Sequence, residues 1–320
     1  MRELVITANE AGQRFDKYLR KYLKEMPLSG IYKSIRKKEI TVNGNKASEK
    51  YLLNTGDIIR FNIEIDDVKK EKKLGFLNMD YNIKPSYEDR NILIVQKNKG
   101  VLVHPDDGNE NTLTDEVKAY LYEKGEYNVD DETTFSPSPC NRLDRNTEGL
   151  IIFAKNYDAL KAVNESIRNG EIEKYYLTIV KGKIEDGLYR AYMIKDQNKN
   201  KVKIMDNYVD GSKEVITKVK MLESVGIFSE VEVNLITGRS HQIRAHLSYL
   251  NNPIIGDTKY GDKETNKYYK SKYGLESQLL IGYKMIFKNC SPHLKYLDGK
   301  VVTMPLPPIY KKIRKDLFKF

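Results

Sequence analysis

The segment Pro139-Cys140-Asn141-Arg142-Leu143-Asp144-Arg145-Asn146-Thr147-Glu148-Gly149-Leu150 places an acidic side chain between two arginines, just ahead of the apolar run Ile151-Ile152-Phe153-Ala154. The polar part is typical of a loop, and the apolar part predicts a strand. Nearby cations favour the ionised form of a carboxylate, which can then act as a nucleophile or a base. Asp144 is therefore a candidate catalytic residue, and the alternative is a structural loop Asp paired with arginine.

Outward from this segment, further strand-like runs at 92–95, 176–180 and 231–235 alternate irregularly with helical stretches. One helix is expected to begin after Asn156 as its N-cap and to end at Asn169-Gly170. Because the strands and helices follow no strict βαβ repetition, the sequence predicts an α+β fold.

A second polar constellation runs from Thr237 to Leu247 and predicts a helix capped by Ser240, with apolar residues 243, 247 and 250 on one face. His241 and Arg244 then share a polar face near the positive end of the helix dipole. Such a face suits an anion, either an RNA phosphate or the Asp144 carboxylate.

The sequence predicts neither a bound metal nor a disulfide framework. His241 and His246 are five residues apart, so on a helix they point about 140° away from each other. The two cysteines, Cys140 and Cys290, are distant in sequence and form no CxxC pair.

The charge of the 320-residue chain is basic and uneven. The net charge is +10, and residues 1–60 hold 13 Lys and Arg against 7 Asp and Glu, a net charge of +6. A basic balance is compatible with a polyanionic partner. No run of about 18 apolar residues could cross a bilayer and no signal peptide stands at the start, so we expect a cytoplasmic protein.

The amino-terminal residues predict a small domain of two helices and a hairpin. Phe15, Leu19 and Leu23 recur at helical spacing, Ile31 and Ile35 begin a second helix, and strand-like runs meet turns at 43–44 and 56–57. We predict domains at 1–65 and 87–320, joined by a charged linker at 66–86.

The stretch from Gly12-Gln13-Arg14-Phe15-Asp16-Lys17 through Val42-Asn43-Gly44 to Gly56-Asp57 resembles the small RNA-binding domain first known in ribosomal protein S-four. The resemblance implies that Arg36, Lys37 and Lys38, at the end of the second helix, contact RNA backbone. The alternative is an ordinary solvated helix end.

Nearly the whole chain resembles the RluA family of pseudouridine synthases, which modify ribosomal and transfer RNA. The family pattern His-Arg-Leu-Asp-Arg-x-Thr-x-Gly-Leu is met at 141–150, and Gly-Arg-Thr/Ser-His-Gln-Ile/Leu-Arg-x-His is met at 238–246. Lys-x-Tyr is matched by Lys174 and Tyr176, and the run 252–261 also fits. Asn141 departs from the usual His. Asn98 stands where the family has Pro in a Lys-Pro turn, and Ile281-Gly282-Tyr283 stands where Leu-His-Ala is common.

The resemblance implies a mixed, largely antiparallel central sheet flanked by helices, and an isomerase that needs no cofactor. It implies that Asp144 is catalytic, that Tyr176 stacks on the uracil, and that Arg244 pairs with Asp144. Arg142 would contact the flipped-out nucleotide. The remaining residues expected to bind RNA are Arg145, Lys174, Arg239, His241 and His104.

We expect a monomer that acts on structured RNA, most simply large-subunit ribosomal RNA, with transfer RNA as the alternative. Asp144 could add to the substrate or remove a sugar proton, and the sequence leaves both routes open. Two other interpretations are a non-catalytic RNA-binding or ribosome-assembly protein, and a glycoside hydrolase that uses Glu148 as its second carboxylate.

Overall fold

The computed structural model of the chain describes residues 2–63, 74–105, 111–129, 134–196 and 201–319. Its strands are β1 (Arg2–Val5), β2 (Ile40–Val42), β3 (Ile58–Phe61), β4 (Pro85–Glu88), β5 (Ile92–Lys97), β6 (Ser138–Pro139), β7 (Glu148–Ala154), β8 (Ile172–Lys181), β9 (Gly187–Asp196), β10 (Lys201–Met205), β11 (Lys213–Val225), β12 (Phe228–Leu235), β13 (Leu280–Phe287) and β14 (Val301–Thr303). Its α-helices are α1 (Phe15–Tyr22), α2 (Leu28–Arg36), α3 (Leu113–Glu123), α4 (Tyr157–Arg168), α5 (Gln242–Tyr249), α6 (Lys263–Tyr273) and α7 (Pro308–Phe318).

The chain divides into two compact units. The first comprises residues 1–94, 104–141 and 152–165, and the second comprises 95–103, 142–151 and 166–320. The predicted domain boundaries therefore stay a prediction, and residues 64–73 of the predicted linker lie outside the described residues.

The amino-terminal part of the first unit contains helices α1 and α2 and a three-stranded antiparallel sheet in the order β1-β3-β2. Phe15, Leu19, Ile31 and Ile35 are buried in one core, as their helical spacing predicted. Strand β1 was not predicted, because its four residues carry no alternating apolar pattern. Among the described residues, no helix combines the length and the apolar character that crossing a bilayer requires.

The large sheet confirms the predicted α+β class. Its strand order is β10-β9-β11-β12-β8-β13-β7-β5-β4, with β14 added to β13 and β6 to β7. The β13–β7 pair is parallel, whereas β8, β9, β11 and β12 pair in antiparallel fashion. The predicted strands at 92–95, 150–154, 176–180 and 231–235 all lie within strands of this sheet.

Two helices test the predicted helix boundaries. Helix α4 begins after Asn156, whose Oδ1 accepts the Ala159 N–H at 2.8 Å, and a left-handed Gly170 follows it. That prediction is confirmed. The predicted start of α5 is wrong, because its N-cap is His241, with φ 58°, rather than Ser240. A turn from Arg239 to Gln242, closed by an N–H···O bond of 3.1 Å, delays the helix.

The parallel pair β7–β13 brings two backbones together at Gly149 and Gly282. A methyl group on Gly149 would lie 2.8 Å from both Cα and O of Gly282, closer than van der Waals contact permits. We expect Gly149→Ala to lower the free energy of unfolding by about 1 to 3 kcal/mol, measured by urea titration with circular dichroism. Gly75→Ala is the control, because a methyl group there meets no atom within 4 Å. Equal stability of the two variants would contradict this account of the strand contact.

Candidate active site

A cleft in the second unit collects six of the twelve residues that the sequence predicts to be functional, including Asp144, Tyr176 and Arg244. Apolar side chains of Leu143, Leu235, Ile243 and Leu280 line it together with Tyr176. Its polar lining consists of Arg142, Asp144, Thr147, Arg239, His241, Gln242 and Arg244. Among the described residues that line the cleft, Asp144 is the sole carboxylate, so the structure brings one acid, several cations and an aromatic ring into one place.

Asp144 lies in a short turn whose backbone carbonyls accept hydrogen bonds from neighbouring residues. The Thr147 N–H donates to the Asp144 carbonyl at 3.0 Å, and the Thr147 hydroxyl accepts from Gln278 Nε2 at 3.1 Å. The next carbonyl, that of Arg145, accepts from Lys97 Nζ at 2.8 Å. Lys97 is fully buried and also donates to two carbonyls of its own loop. The backbone of the turn that carries Asp144 is therefore held by hydrogen bonds, from Lys97 directly and from Gln278 through Thr147.

Arg244 links Asp144 to a second, buried carboxylate. One of its terminal nitrogens (Nη1) donates to Asp144 Oδ2 at 2.8 Å, while Nε and Nη2 form a two-pronged contact with Asp257 at 2.7 and 2.9 Å. The Asp257 side chain has no exposed surface, whereas that of Asp144 is 24% exposed. Asp257 thus fixes the guanidinium, which presents its remaining edge to the carboxylate that is open to the cleft.

Electrostatics favour the ionised forms of Asp257 and Arg244. Burial alone would raise the pKa of Asp257, but Arg244 and the backbone N–H groups of Tyr260 and Lys259 hold it below its ordinary value. Burial opposes the charge on Arg244, yet Asp257 and Asp144 raise the pKa of its guanidinium. Arg244 therefore stays cationic beside Asp144 at every pH at which the protein is folded.

Tyr176 lies on β8 and is 5% exposed. Its ring packs on the backbone of β13 at Gly282, where a methyl group would lie 3.1 Å from Cε1. The register of β13 against β8 shifts between Ile281 and Lys284, which marks a bulge beside the ring. Burial, with a smaller contribution from Asp144, raises the pKa of the Tyr176 phenol, so the ring is neutral.

His241 forms a hydrogen bond with Tyr260 through its Nδ1 atom. The Tyr260 hydroxyl accepts the Val202 N–H at 2.9 Å and lies 3.0 Å from His241 Nδ1. Because no other acceptor for the hydroxyl proton is found among the described residues, we assign that proton to a bond with Nδ1, which leaves Nε2–H as a donor. Burial lowers the pKa of His241, opposed by Asp144 and supported by Arg244.

Of the other residues predicted to bind RNA, some line the cleft and others lie elsewhere. Arg142 and Arg239 are exposed and line the cleft, while Arg145 is exposed and donates to Gly100 O at 3.1 Å. His104 is exposed and belongs to the first unit, as do Arg36, Lys37 and Lys38, exposed at the end of α2. Lys174 is buried and does not line the cleft. Their contacts with RNA stay predictions.

The burial of Lys174 can be tested through the pH dependence of the free energy of unfolding. Desolvation lowers its pKa to about 8, so folding disfavours its charged form. Between pH 8 and the unfolded pKa near 10.4, the unfolded chain binds more protons and wild-type stability rises with pH. Lys174→Met removes the charge, and we expect it to stabilise the protein at pH 7 by up to about 3 kcal/mol. In urea titrations this gain should shrink as the pH approaches 10, and a gain independent of pH would contradict it.

The structure gives Asn141 a clear role. Its Oδ1 accepts the Ile152 N–H at 2.8 Å, next to a Cys140 N–H···O bond to Ile152 of 2.7 Å. Asn141 therefore holds the two ends of the segment 141–152 together, and it does not line the cleft. The departure from the family's His thus changes a residue beside the segment that carries Asp144 rather than a group in the cleft.

Three residues of the site were missed by sequence reasoning: Asp257, Tyr260 and Gln242. Gln242 is buried, and its amide bonds to Thr237 and Arg239 on one side and to strand β11 on the other. All three occur in the two family-like runs at 238–246 and 252–261. The presence of both family-like runs in the sequence was the one indication that these residues matter. It did not indicate which residue contacts Arg244.

Comparisons with known proteins identify the family to which the chain belongs. The family model described as RNA pseudouridylate synthase matches residues 91–249. Ribosomal large subunit pseudouridine synthase C of Buchnera aphidicola subsp. Baizongia pistaciae is 32% identical, covering 98% of this chain and 96% of its own. The Escherichia coli K12 protein of the same name is 31% identical, covering 82% and 81%. The chain therefore belongs to the RluA family of RNA pseudouridine synthases, which are isomerases.

Two further comparisons concern a sequence relative and a solved structure. An uncharacterized RNA pseudouridine synthase of Mycoplasma capricolum subsp. capricolum is 33% identical, covering 94% of this chain and 97% of its own. The solved structure of Human RNA Pseudouridylate Synthase Domain Containing 4 is 22% identical and superimposes with a TM-score of 0.57, over 73% of this chain and 92% of that one. This superposition shows that the chain has the fold of that solved structure.

Proposed function

We propose that this protein isomerises uridine to pseudouridine in large-subunit ribosomal RNA, with Asp144 as the essential group. The single observation that carries the proposal is the Asp257–Arg244–Asp144 chain of hydrogen bonds, which holds one carboxylate in a cleft beside Tyr176. The names of the Buchnera and Escherichia coli relatives support ribosomal RNA as the substrate.

The reaction breaks the bond from ribose C1′ to uracil N1, turns the base, and joins C1′ to C5. The C5 hydrogen leaves as a proton and N1 gains one, so no oxidant or added energy is needed. Asp144 serves either by adding to the substrate or by taking a sugar proton and later returning it. Arg244 orients the carboxylate by donating a hydrogen bond to it, and the apolar lining limits access of water.

The uridine has to leave its stack before it can reach Asp144, which costs a few kcal/mol. Stacking on the Tyr176 ring returns about 1 to 3 kcal/mol. Arg142, exposed at the rim of the cleft, fills the space that the base vacates, and Arg239 and the Nε2–H of His241 donate to the nucleotide or its phosphate. Together these contacts favour the flipped-out state of the uridine.

The amino-terminal residues 1–65 serve as an RNA-binding domain like that of ribosomal protein S-four. The exposed basic end of α2, at Arg36, Lys37 and Lys38, supports a contact with phosphates. We further propose that the protein acts in the cytoplasm as a monomer and requires no cofactor. A glycoside hydrolase would need a second carboxylate in the cleft, and Glu148 does not line it.

Pseudouridine maps of a strain lacking the gene test the choice of substrate. We expect one or more sites to disappear from large-subunit ribosomal RNA while transfer RNA stays unchanged, and the wild-type gene should restore them. Loss confined to transfer RNA would reassign the substrate, and an unchanged map of both RNA classes would contradict the proposal.

A further inference from the structure

Helices α6 and α7 of the second unit together present a strongly basic surface. Residues 263–273 carry a net charge of +3 and residues 308–319 a net charge of +4, against +10 for the whole chain. We define the α6/α7 surface by its exposed side chains: Lys263, Lys267, Tyr268, Lys270, Lys311, Lys312 and Lys315. These two segments together carry a net charge of +7, against +6 for residues 1–60, and the rest of the chain is net negative.

The two helices form one continuous and rigid surface. The Tyr273 hydroxyl of α6 donates to Asp316 Oδ2 of α7 at 3.0 Å, and Lys312 lies 5.9 Å from the centre of the Tyr273 ring. Beneath them, Tyr269 and Tyr310 are fully buried in the same hydrophobic core. The lysines are therefore carried by two helices that are packed on a common core, so binding of a partner does not require the helices to fold first.

Several of these lysines repel one another along the helices that carry them. Lys263, Lys267 and Lys270 follow one another at i, i+4 and i+7, and Lys311 and Lys315 at i and i+4. Like charges at these spacings destabilise a helix by a few tenths of a kcal/mol per pair. Lys270 alone among these five has an acidic partner in the described chain, Glu276 at 3.2 Å. The repulsion is relieved when a polyanion binds.

An exposed aromatic ring lies among the charges. Tyr268 is 52% exposed, and the ammonium group of Lys272 lies 5.5 Å from the centre of its ring. Lysines alternating with an open tyrosine suit single-stranded nucleic acid, because the cations bind phosphates and the ring stacks on a base. A lipid headgroup or an acidic peptide would use the charges but not the flat ring.

The surface is joined directly to the active site. Helix α6 begins at its N-cap Asp262, five residues after Asp257, the buried partner of Arg244. Asn266 of α6 donates to the Asp257 carbonyl at 2.8 Å and accepts the Gly256 N–H at 2.7 Å. The first turns of α6 therefore lie close to the cleft that receives the uridine.

We propose that the α6/α7 surface is a second RNA-binding surface, which contacts the phosphate backbone and an unpaired base of the substrate RNA outside the modified nucleotide. The proposal rests on the proposed function in that the same RNA occupies the cleft. It adds a binding contribution from the catalytic unit itself, independent of the amino-terminal residues.

A matched pair of triple variants of the full chain tests this surface. The test variant is Lys267→Glu/Lys311→Glu/Lys315→Glu, and the control is Lys203→Glu/Lys213→Glu/Lys295→Glu. The control residues are exposed and lie outside the surface, and both triples change the net charge equally. Thermal melting by circular dichroism establishes that each variant is folded.

The measurement is the Kd for large-subunit ribosomal RNA, transcribed in vitro from the same genome, as a function of salt. We expect the test variant to bind about 10- to 100-fold more weakly at low salt, with a log–log salt slope smaller by about 2 to 3. The control should keep the wild-type slope. Identical slopes for the two triples would overturn the proposal, as would a defect seen only with phosphatidylserine vesicles.

Ultraviolet cross-linking provides an independent readout that does not depend on the triple variants. We expect a nucleotide adduct on the peptide that contains Tyr268 in the wild-type complex, and its absence would overturn the stacking contact. These outcomes are separate from the proposed function. A smaller salt slope for the test variant, with no pseudouridine formed by the wild type, would refute only the proposed activity. Pseudouridine formation by the wild type, with the same salt slope for both triple variants, would refute only the RNA-binding role of this surface.

Discussion

Asp144→Asn is expected to abolish pseudouridine formation and to leave RNA affinity within a few-fold of wild type. The amide has the shape of the carboxylate, and its oxygen can still accept from Arg244, so the turn and the cleft are retained. It cannot add to the substrate or accept a proton at neutral pH. Removal of an essential nucleophile or base costs on the order of 10⁴-fold or more in rate, measured by single-turnover labelling of pseudouridine.

The control for this variant is Asp210→Asn, which makes the same chemical change at an exposed carboxylate outside the cleft. It should turn over like the wild type. A rate for Asp144→Asn within tenfold of wild type would reduce Asp144 to the structural loop residue that its local sequence also allows.

The second large effect is expected on stability. Arg244→Met leaves Asp257 buried without its guanidinium partner, retaining only the N–H groups of Lys259 and Tyr260. Loss of one member of a buried ion pair typically costs about 3 to 5 kcal/mol, because the other charge stays desolvated. We expect a loss of that size in urea unfolding followed by circular dichroism, together with loss of activity.

A double variant separates the two effects of Arg244. Arg244→Met/Asp257→Asn removes the buried charge, while the Asn oxygen can still accept the backbone N–H groups. It should recover part of the lost stability and none of the activity, since Asp144 still lacks its partner. A single variant as stable as wild type would contradict the buried ion pair as described.

The sequence predicts the parts of the site that are local in the chain. Asn156 and Gly170 mark the ends of α4 because capping depends on neighbouring backbone groups. Asp144, Tyr176 and Arg244 were found through motif order and spacing, and the structure brings them into one cleft. These features need no knowledge of how distant segments meet.

What the sequence did not predict depends on tertiary contacts. Asp257 looks like any loop carboxylate until folding places it 2.7 Å from Arg244 Nε. His241 takes the N-cap position where Gln242 bonds to Ile216 of β11, 26 residues earlier in the chain. The α6/α7 surface was overlooked because its charges are divided between two helices 35 residues apart, whereas those of residues 1–60 are contiguous.

The most direct test of the account is release of tritium from large-subunit ribosomal RNA that carries [5-³H]uridine. Joining C1′ to C5 expels the C5 hydrogen, so the purified wild-type protein should release tritium to water while the RNA chain keeps its mass apart from the isotope. Asp144→Asn should release none. Free uracil in place of tritiated water, or equal release by the Asn variant, would contradict the account.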